Sequence, residues 1–103
     1  MAWLSVVDEN GAEARAEIAA FPFRIGKKGG VNDLVLDRPN ISREHCVFLQ
    51  TAHGFAVRDL HSRNGTYVQG ERIVGQVPIQ DGAVIRVGPY QITFHAAAGP
   101  VPP

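Results

Sequence analysis

With one cysteine, Cys46, among its 103 residues, the chain cannot close an intrachain disulfide. A lone thiol fits a reducing compartment, so a cytoplasmic location is expected. Net charge is also missing, since ten basic residues balance ten acidic ones. That balance excludes the broad field of a protein that wraps nucleic acid or lies on anionic lipid. No apolar run approaches the ~20 residues of a membrane span, and Met1-Ala2-Trp3-Leu4 has neither the basic start nor the apolar core of a secretion signal. Internal repeats are absent too. What remains is one domain's worth of chain with 45% hydrophobic residues, large enough to bury about two thirds of its unfolded surface without staples.

Several catalytic and metal readings fail on the same inspection. Gly26-Lys27-Lys28-Gly29-Gly30 lacks the lysine followed by Ser or Thr and the following helix of a nucleotide-binding loop. His45, His53, His61 and His95 are irregularly spaced with thin carboxylate support, so no zinc site and no cofactor are expected. His45 and Cys46 are adjacent, but neighbouring side chains on a strand point to opposite faces, so they form no nucleophile and base. A buried, inert thiol is expected at Cys46, and no enzyme activity.

What is present reads as strands almost throughout. Trp3 to Val7, Phe21 to Ile25, Cys46 to Thr51, Phe55 to Leu60, Thr66 to Val68, Ala83 to Val87 and Tyr90 to Phe94 are short and rich in β-branched or aromatic residues. His53-Gly54, Asn64-Gly65, Gln69-Gly70, Asp81-Gly82 and Gly88-Pro89 punctuate them as turns. Ala12 to Ala20 has helix propensity but no apolar stripe, and Pro22 follows closely, so a strand with one polar face is the better reading. Such closely spaced strands imply an all-β sandwich or barrel. Residues 96–103, rich in Ala, Gly and Pro, read as a linker-like tail. The expectation is a domain over 1–95 belonging to a longer, multidomain protein.

Charge is unevenly spread. Met1 to Phe23 carries one basic residue against four acidic ones, whereas Arg24 to Arg72 carries eight against five. Two polar turns fall in the cationic part: Ile41-Ser42-Arg43-Glu44-His45 and Ser62-Arg63-Asn64-Gly65-Thr66. A phosphate ester brings about −1.5 to −2 charges and three strong acceptors, so its site needs several convergent donors. Ser42 offers a hydroxyl, Arg43 and Arg63 offer guanidinium forks, and Lys27 offers a point charge. Backbone amides in the curved Gly26–Gly30 and Ile41–Arg43 segments can add fixed donors. Taken singly, Ser42 could cap a turn, Asn64-Gly65 could be a hairpin turn, and both arginines could be surface charges.

The blocks Phe23-Arg24-Ile25-Gly26, Asn32 to Leu36, Ile41 to His45, Val57 to Leu60, Ser62 to Gly70 and Asp81 to Gly88 strongly resemble, in order and spacing, the forkhead-associated (FHA) domain family. The resemblance implies an eleven-stranded β-sandwich whose loops at one end bind phosphothreonine in an extended peptide. Ser42 and Arg43 are similar to phosphate contacts, Arg63 to a nearby polar contact, and Asn64 to the side chain that clamps the peptide backbone. Gly26, His45 and Gly65 are similar to positions that shape the loops. The implied partner is a protein phosphorylated on threonine by a Ser/Thr kinase. One departure stands out: Lys27 occupies the position where the family usually has arginine. Lysine keeps the charge but loses the bidentate fork, at a cost on the order of 1 kcal/mol. Lys28 or Arg24 are other cations within reach of that position. Lys27 also motivates an alternative, a degenerate FHA-fold scaffold or dimerisation module that binds independently of phosphate.

Overall fold

The alternating sequence folds into eleven strands with no helix among the described residues, 2–96, of a computed structural model. In chain order they are β1 (Ala2–Val7), β2 (Glu13–Ile18), β3 (Phe23–Gly26), β4 (Leu34–Val35), β5 (Cys46–Thr51), β6 (Gly54–Asp59), β7 (Thr66–Val68), β8 (Glu71–Arg72), β9 (Gln76–Ile79), β10 (Val84–Val87) and β11 (Tyr90–Ala96). Six form one sheet in the order β2-β1-β11-β10-β7-β8, and five form the other in the order β4-β3-β5-β6-β9. The sandwich expected from the sequence is the fold observed.

Period-two patterning places the core between the sheets. Leu4 and Val6 of β1 and Ile92 and Phe94 of β11 face inward, while Trp3, Ser5, Gln91 and Thr93 face out. Phe23, Ile25, Cys46, Phe48 and Val57 meet them from the other sheet. Phe94 sits at the centre, its ring 5.8 Å from Phe48 and 5.1 Å from Phe55, in the tilted and offset geometries that aromatic pairs favour. Each such fully buried side chain contributes about 1.5–3 kcal/mol of transfer free energy.

Seven strands match the segments read from alternation, and Glu13–Ile18 forms the strand preferred over a helix there. Its one-sided pattern, with Ile18 buried and Ala16 half-buried between exposed charges, is that of a sheet-edge strand. Three strands carried too little local signal. β4 and β8 are two residues each, and β9 contains Pro78, tolerated because β9 lies at a sheet edge. β3 begins at Phe23 rather than Phe21, since Pro22 brings no amide hydrogen to a ladder. Ala96 still pairs with Ala2 in β11; the rest of the Ala/Gly/Pro tail lies outside the described residues.

The hairpin reading of Asn64-Gly65 is corrected by the topology. β6 and β7 belong to different sheets, so these residues sit on a crossing between sheets, and only Gly65 takes a positive φ, of 91°. A two-residue hairpin does occur at Gln69-Gly70, where φ is 51° and 85°, as a type I′ turn requires. Phe94→Ala is expected to cost about 3–5 kcal/mol in urea unfolding, while Val31→Ala, at an 80% exposed position, stays within about 0.5 kcal/mol. Similar costs for both would contradict this placement of the core.

Candidate functional site

Strand register decides which loops share an end of the sandwich. Ile25 of β3 pairs with Cys46 of β5, which pairs with Asp59 of β6. The segments after β3, before β5 and after β6 therefore leave the sheet at one tip. In the facing sheet, Thr66 of β7 pairs with Val87 of β10, bringing the start of β7 and the β10–β11 turn there as well. Gly88 in that turn is close enough to Ile41 that a Cβ would lie 2.9 Å from its side chain.

These loops enclose a concavity of about 330 Å³ lined by Lys27, Ser42, Arg43, Arg63 and Asn64, with Pro39, Asn40 and Ile41 completing its wall. All five side chains singled out in the sequence for ligand contact thus share one surface. It holds three cationic side chains and no carboxylate, and none of the three enters an ion pair among the described residues. Arg43, Arg63 and Asn64 are exposed, and Lys27 and Ser42 half-buried. Lys28 and Arg24 do not line the concavity, so Lys27 is the cation that β3 delivers to it. A larger concavity near Gln69 and Pro78, about 410 Å³, has Asp81 as its charged lining residue and lacks any cation.

Beneath the rim the loops are tied by a buried histidine. His45 is 0% exposed, accepts a hydrogen bond at Nδ1 from the Ser42 amide at 3.2 Å, and donates from Nε2 to the Gly65 carbonyl at 2.9 Å. Because a backbone N–H only donates and a carbonyl only accepts, these partners select the neutral Nε2–H tautomer. Burial pushes the pKa of His45 below the ordinary histidine value, outweighing the Gly65 carbonyl and the Asp59 charge, which act upward. One ring therefore joins the turn carrying Ser42 to the turn carrying Asn64.

Further bonds lace the two turns. The Arg63 amide donates to Ser42 Oγ at 2.9 Å, leaving the hydroxyl hydrogen for a ligand, and Asn64 Nδ2 donates to the Asn40 carbonyl at 2.8 Å. The Lys27 amide donates to the Ser42 carbonyl at 2.8 Å. Gly26 is required by close approach, since a Cβ there would lie 2.1 Å from the Arg43 carbonyl oxygen. A Cβ on Gly30 would lie 2.3 Å from the same oxygen, which Asn32 Nδ2 approaches at 2.7 Å. The loop-shaping positions Gly26, His45 and Gly65 are thus all buried at the base of the tip.

Residues without an assigned role in the sequence reading complete the frame. Asp59 accepts from the Ser62 amide and hydroxyl and from the Thr66 hydroxyl, fixing the turn that carries Arg63 and Asn64. The Asp-x-x-Ser spacing was the available signal, because Asp commonly binds backbone amides a few residues on. Asn32 gave none, since its partners are carbonyls brought close only by the fold. Cys46 is fully buried and its thiol is pushed up to about 12, chiefly by burial, which makes it inert as a nucleophile.

The arrangement is a β-sandwich module with a cationic, donor-rich tip. The FHA domain family model matches residues 23–88, and the chain belongs to that family. It is 44% identical over 82 residues to the transcriptional regulatory protein EmbR of Mycobacterium tuberculosis, covering 80% of this chain and 21% of that protein. It is 39% identical over 65 residues to the oxoglutarate dehydrogenase inhibitor of Corynebacterium glutamicum, covering 63% of this chain and 45% of that one. The chain therefore spans less than half the length of these curated relatives. The structure of M. tuberculosis EmbR in complex with a low-affinity phosphopeptide superposes with a TM-score of 0.76 at 36% identity, over 97% of this chain and 26% of that one. The FHA domain of CT664 from Chlamydia trachomatis shares the fold, with a TM-score of 0.82 at 24% identity over 94% of this chain and 98% of that one.

A histidine whose folded pKa is depressed supports the fold fully above its unfolded value, about 6.5. That support is lost as pH falls, because the unfolded chain then binds the proton more readily. His45→Asn is expected to lower stability at pH 7.5 by about 1–3 kcal/mol and to flatten the decline between pH 7.5 and 5.5. Urea unfolding of both proteins at the two pH values checks this. An unchanged pH slope in the variant would contradict the neutral, buried imidazole.

Proposed function

We propose that this FHA domain is a phosphothreonine-dependent peptide-binding module rather than an enzyme, and that the concavity at Lys27, Ser42, Arg43, Arg63 and Asn64 is where the peptide binds. The observation that carries the reading is the convergence, in one concavity whose lining has no carboxylate, of three cations without an ion pair among the described residues, one hydroxyl with a spare hydrogen and one amide. A doubly ionised ester has charge and acceptors to match that set. The phosphopeptide complex of EmbR supports the same reading by relationship.

In this mechanism Arg43, whose Nε lies 3.7 Å from where a Cβ on Gly29 would sit, and Lys27 supply charge. Ser42 donates its hydroxyl hydrogen to a phosphate oxygen. Asn64, whose Nδ2 donates to the Asn40 carbonyl, bonds the peptide main chain with its remaining donor and acceptor. Arg63 faces the same ligand from the second turn. No covalent step is involved: a Ser/Thr kinase writes the mark, and this domain reads it on a partner or on another segment of its own polypeptide. A cytoplasmic setting and a longer parent protein fit that role.

Fluorescence anisotropy with matched threonine and phosphothreonine peptides tests the proposal. Phosphorylation is expected to supply most of the affinity, and Ser42→Ala and Arg43→Ala are each expected to weaken phosphopeptide binding by about 1–3 kcal/mol without unfolding the domain. Lys27→Arg is expected to hold or tighten binding, since it restores a bidentate fork. Equal affinity for both peptides would support a phosphate-independent scaffold instead.

A further inference from the structure

Among the described residues the two sheets end in β2 and β8 and in β4 and β9. Three of these edges are blunted, β4 and β8 by their two-residue length and β9 by Pro78. β2 is the long one, six residues without proline, so its outward backbone groups are open to another strand. We propose that β2 pairs antiparallel with β2 of a second copy of this chain, across a twofold axis at Ala16. The inference stands apart from the phosphothreonine reading, since no residue of β2 lines the concavity at Lys27.

The charges along β2 select that register. A twofold axis perpendicular to the sheet sets one residue of the edge strand opposite itself and keeps both cores on the same side. Centred on Ala16, it places Arg15 opposite the second copy's Glu17 and Glu17 opposite the second copy's Arg15, with Ala14 opposite Ile18 on the core side and residues 14 to 18 paired. Centring on Glu13, Arg15 or Glu17 sets a charge against itself, which is destabilising. Centring on Ala14 leaves only residues 13 to 15 of β2 in the ladder, and centring on Ile18 leaves only Ile18. Edge charges deter chance pairing, and these admit a copy of the same strand.

The pairing charges are held in place beforehand. The Arg15 guanidinium lies 3.9 Å over the Trp3 ring, and Trp3 stacks on His95 at 3.8 Å. Arg15 also contacts Glu17 of its own strand, and both side chains are more than half exposed. Stacking of this kind fixes the guanidinium at little further entropic cost when a second carboxylate arrives.

On the core side of the same edge, Val6, Ala14, Ala16, Leu34, Val35 and Tyr90 line a largely apolar concavity of about 300 Å³ between β2 and β4. Val35 is 49% exposed there. The axis turns this groove toward its counterpart, so the second copy covers apolar surface and backbone together, which is the favourable term an interface needs. Val7 pairs with both Glu13 and Gln91, so β2 begins at the end of the sheet that carries the β10–β11 turn and the cationic tip. Antiparallel pairing therefore sends the two tips to opposite ends of the dimer, where each meets its own ligand.

Sedimentation velocity of the 103-residue chain over a wide concentration range tests the proposal, with a concentration-dependent dimer expected. Arg15→Glu and Glu17→Arg are each expected to weaken dimerisation by about tenfold, because the axis repeats every like-charge contact. The double exchange Arg15→Glu with Glu17→Arg is expected to restore it, and urea unfolding checks that all three variants fold. Ala16→Cys is expected to cross-link two copies on mild oxidation, since facing Cα atoms lie about 4.5–5.5 Å apart. Ala14→Cys, displaced from its own copy by about 13 Å, is expected to stay unlinked. A chain that remains monomeric and unlinked overturns the proposal and leaves this edge to a strand of another protein. A dimer indifferent to both single reversals, reversals that the double exchange fails to rescue, or cross-linking through Ala14→Cys in place of Ala16→Cys also overturns it.

Discussion

The tip of this domain depends on one imidazole. His45 has no contact with solvent and spends both ring nitrogens on backbone groups from two loops that the chain separates by about twenty residues. Without that bridge, the turn bearing Ser42 and Arg43 and the turn bearing Arg63 and Asn64 would be held together by the more exposed bonds from the Arg63 amide to Ser42 Oγ and from Asn64 to the Asn40 carbonyl. With it, they are also joined through a buried contact. Binding a small, highly charged group is costly if the protein must first gather its donors, so a frame assembled in advance converts interaction energy into affinity. The glycines at 26 and 30 serve the same end by leaving room for the Arg43 carbonyl.

Electrostatics at the tip follow from an uneven arrangement within a neutral chain. Acidic side chains concentrate before β3, and the two ion pairs they make among the described residues, to Arg15 and Arg38, involve no residue that lines the concavity. Asp59, the acid nearest the second turn, is committed to Ser62 and Thr66. The cations at the rim have no ion pair among the described residues, so a ligand need not displace a protein carboxylate to reach them. Lys27 fits this scheme as a point charge. In the proposed site it would be the weakest reader of oxygen geometry among the three, leaving planar recognition to Arg43 and Arg63.

Much of this was legible in the sequence, and the limits have physical causes. Alternation exposed β1, β10 and β11, which bury one face and wet the other, whereas β5 and β6, with consecutive buried residues, stood out by their β-branched and aromatic content. β4 and β8 are too short to show a period, and β9 hides behind Pro78. Ser42, Arg43 and Asn64 could be singled out because their side chains carry donors suited to an anion and the blocks around them resemble a known family. Asn32 and Thr66 act on groups distant along the chain, so only the folded chain reveals their partners, whereas Ser62 and Asp59 lie three residues apart. Asn64-Gly65 misled as a hairpin because its local signature is shared by turns within a sheet and crossings between sheets. The choice among Lys27, Lys28 and Arg24 likewise needed the fold, since only the register of β3 says which cation reaches the concavity.

The most direct measurement of the central claim is a crystal structure of the domain bound to a phosphothreonine peptide, compared with the unbound protein. The account requires phosphate oxygens about 2.5–2.9 Å from Ser42 Oγ and the Arg43 guanidinium, the Asn64 side chain on the peptide backbone, and His45 still bridging Ser42 and Gly65 with the loops unmoved. A phosphate bound at another surface, or a tip that forms only after the peptide arrives and without the His45 bridge, would contradict it.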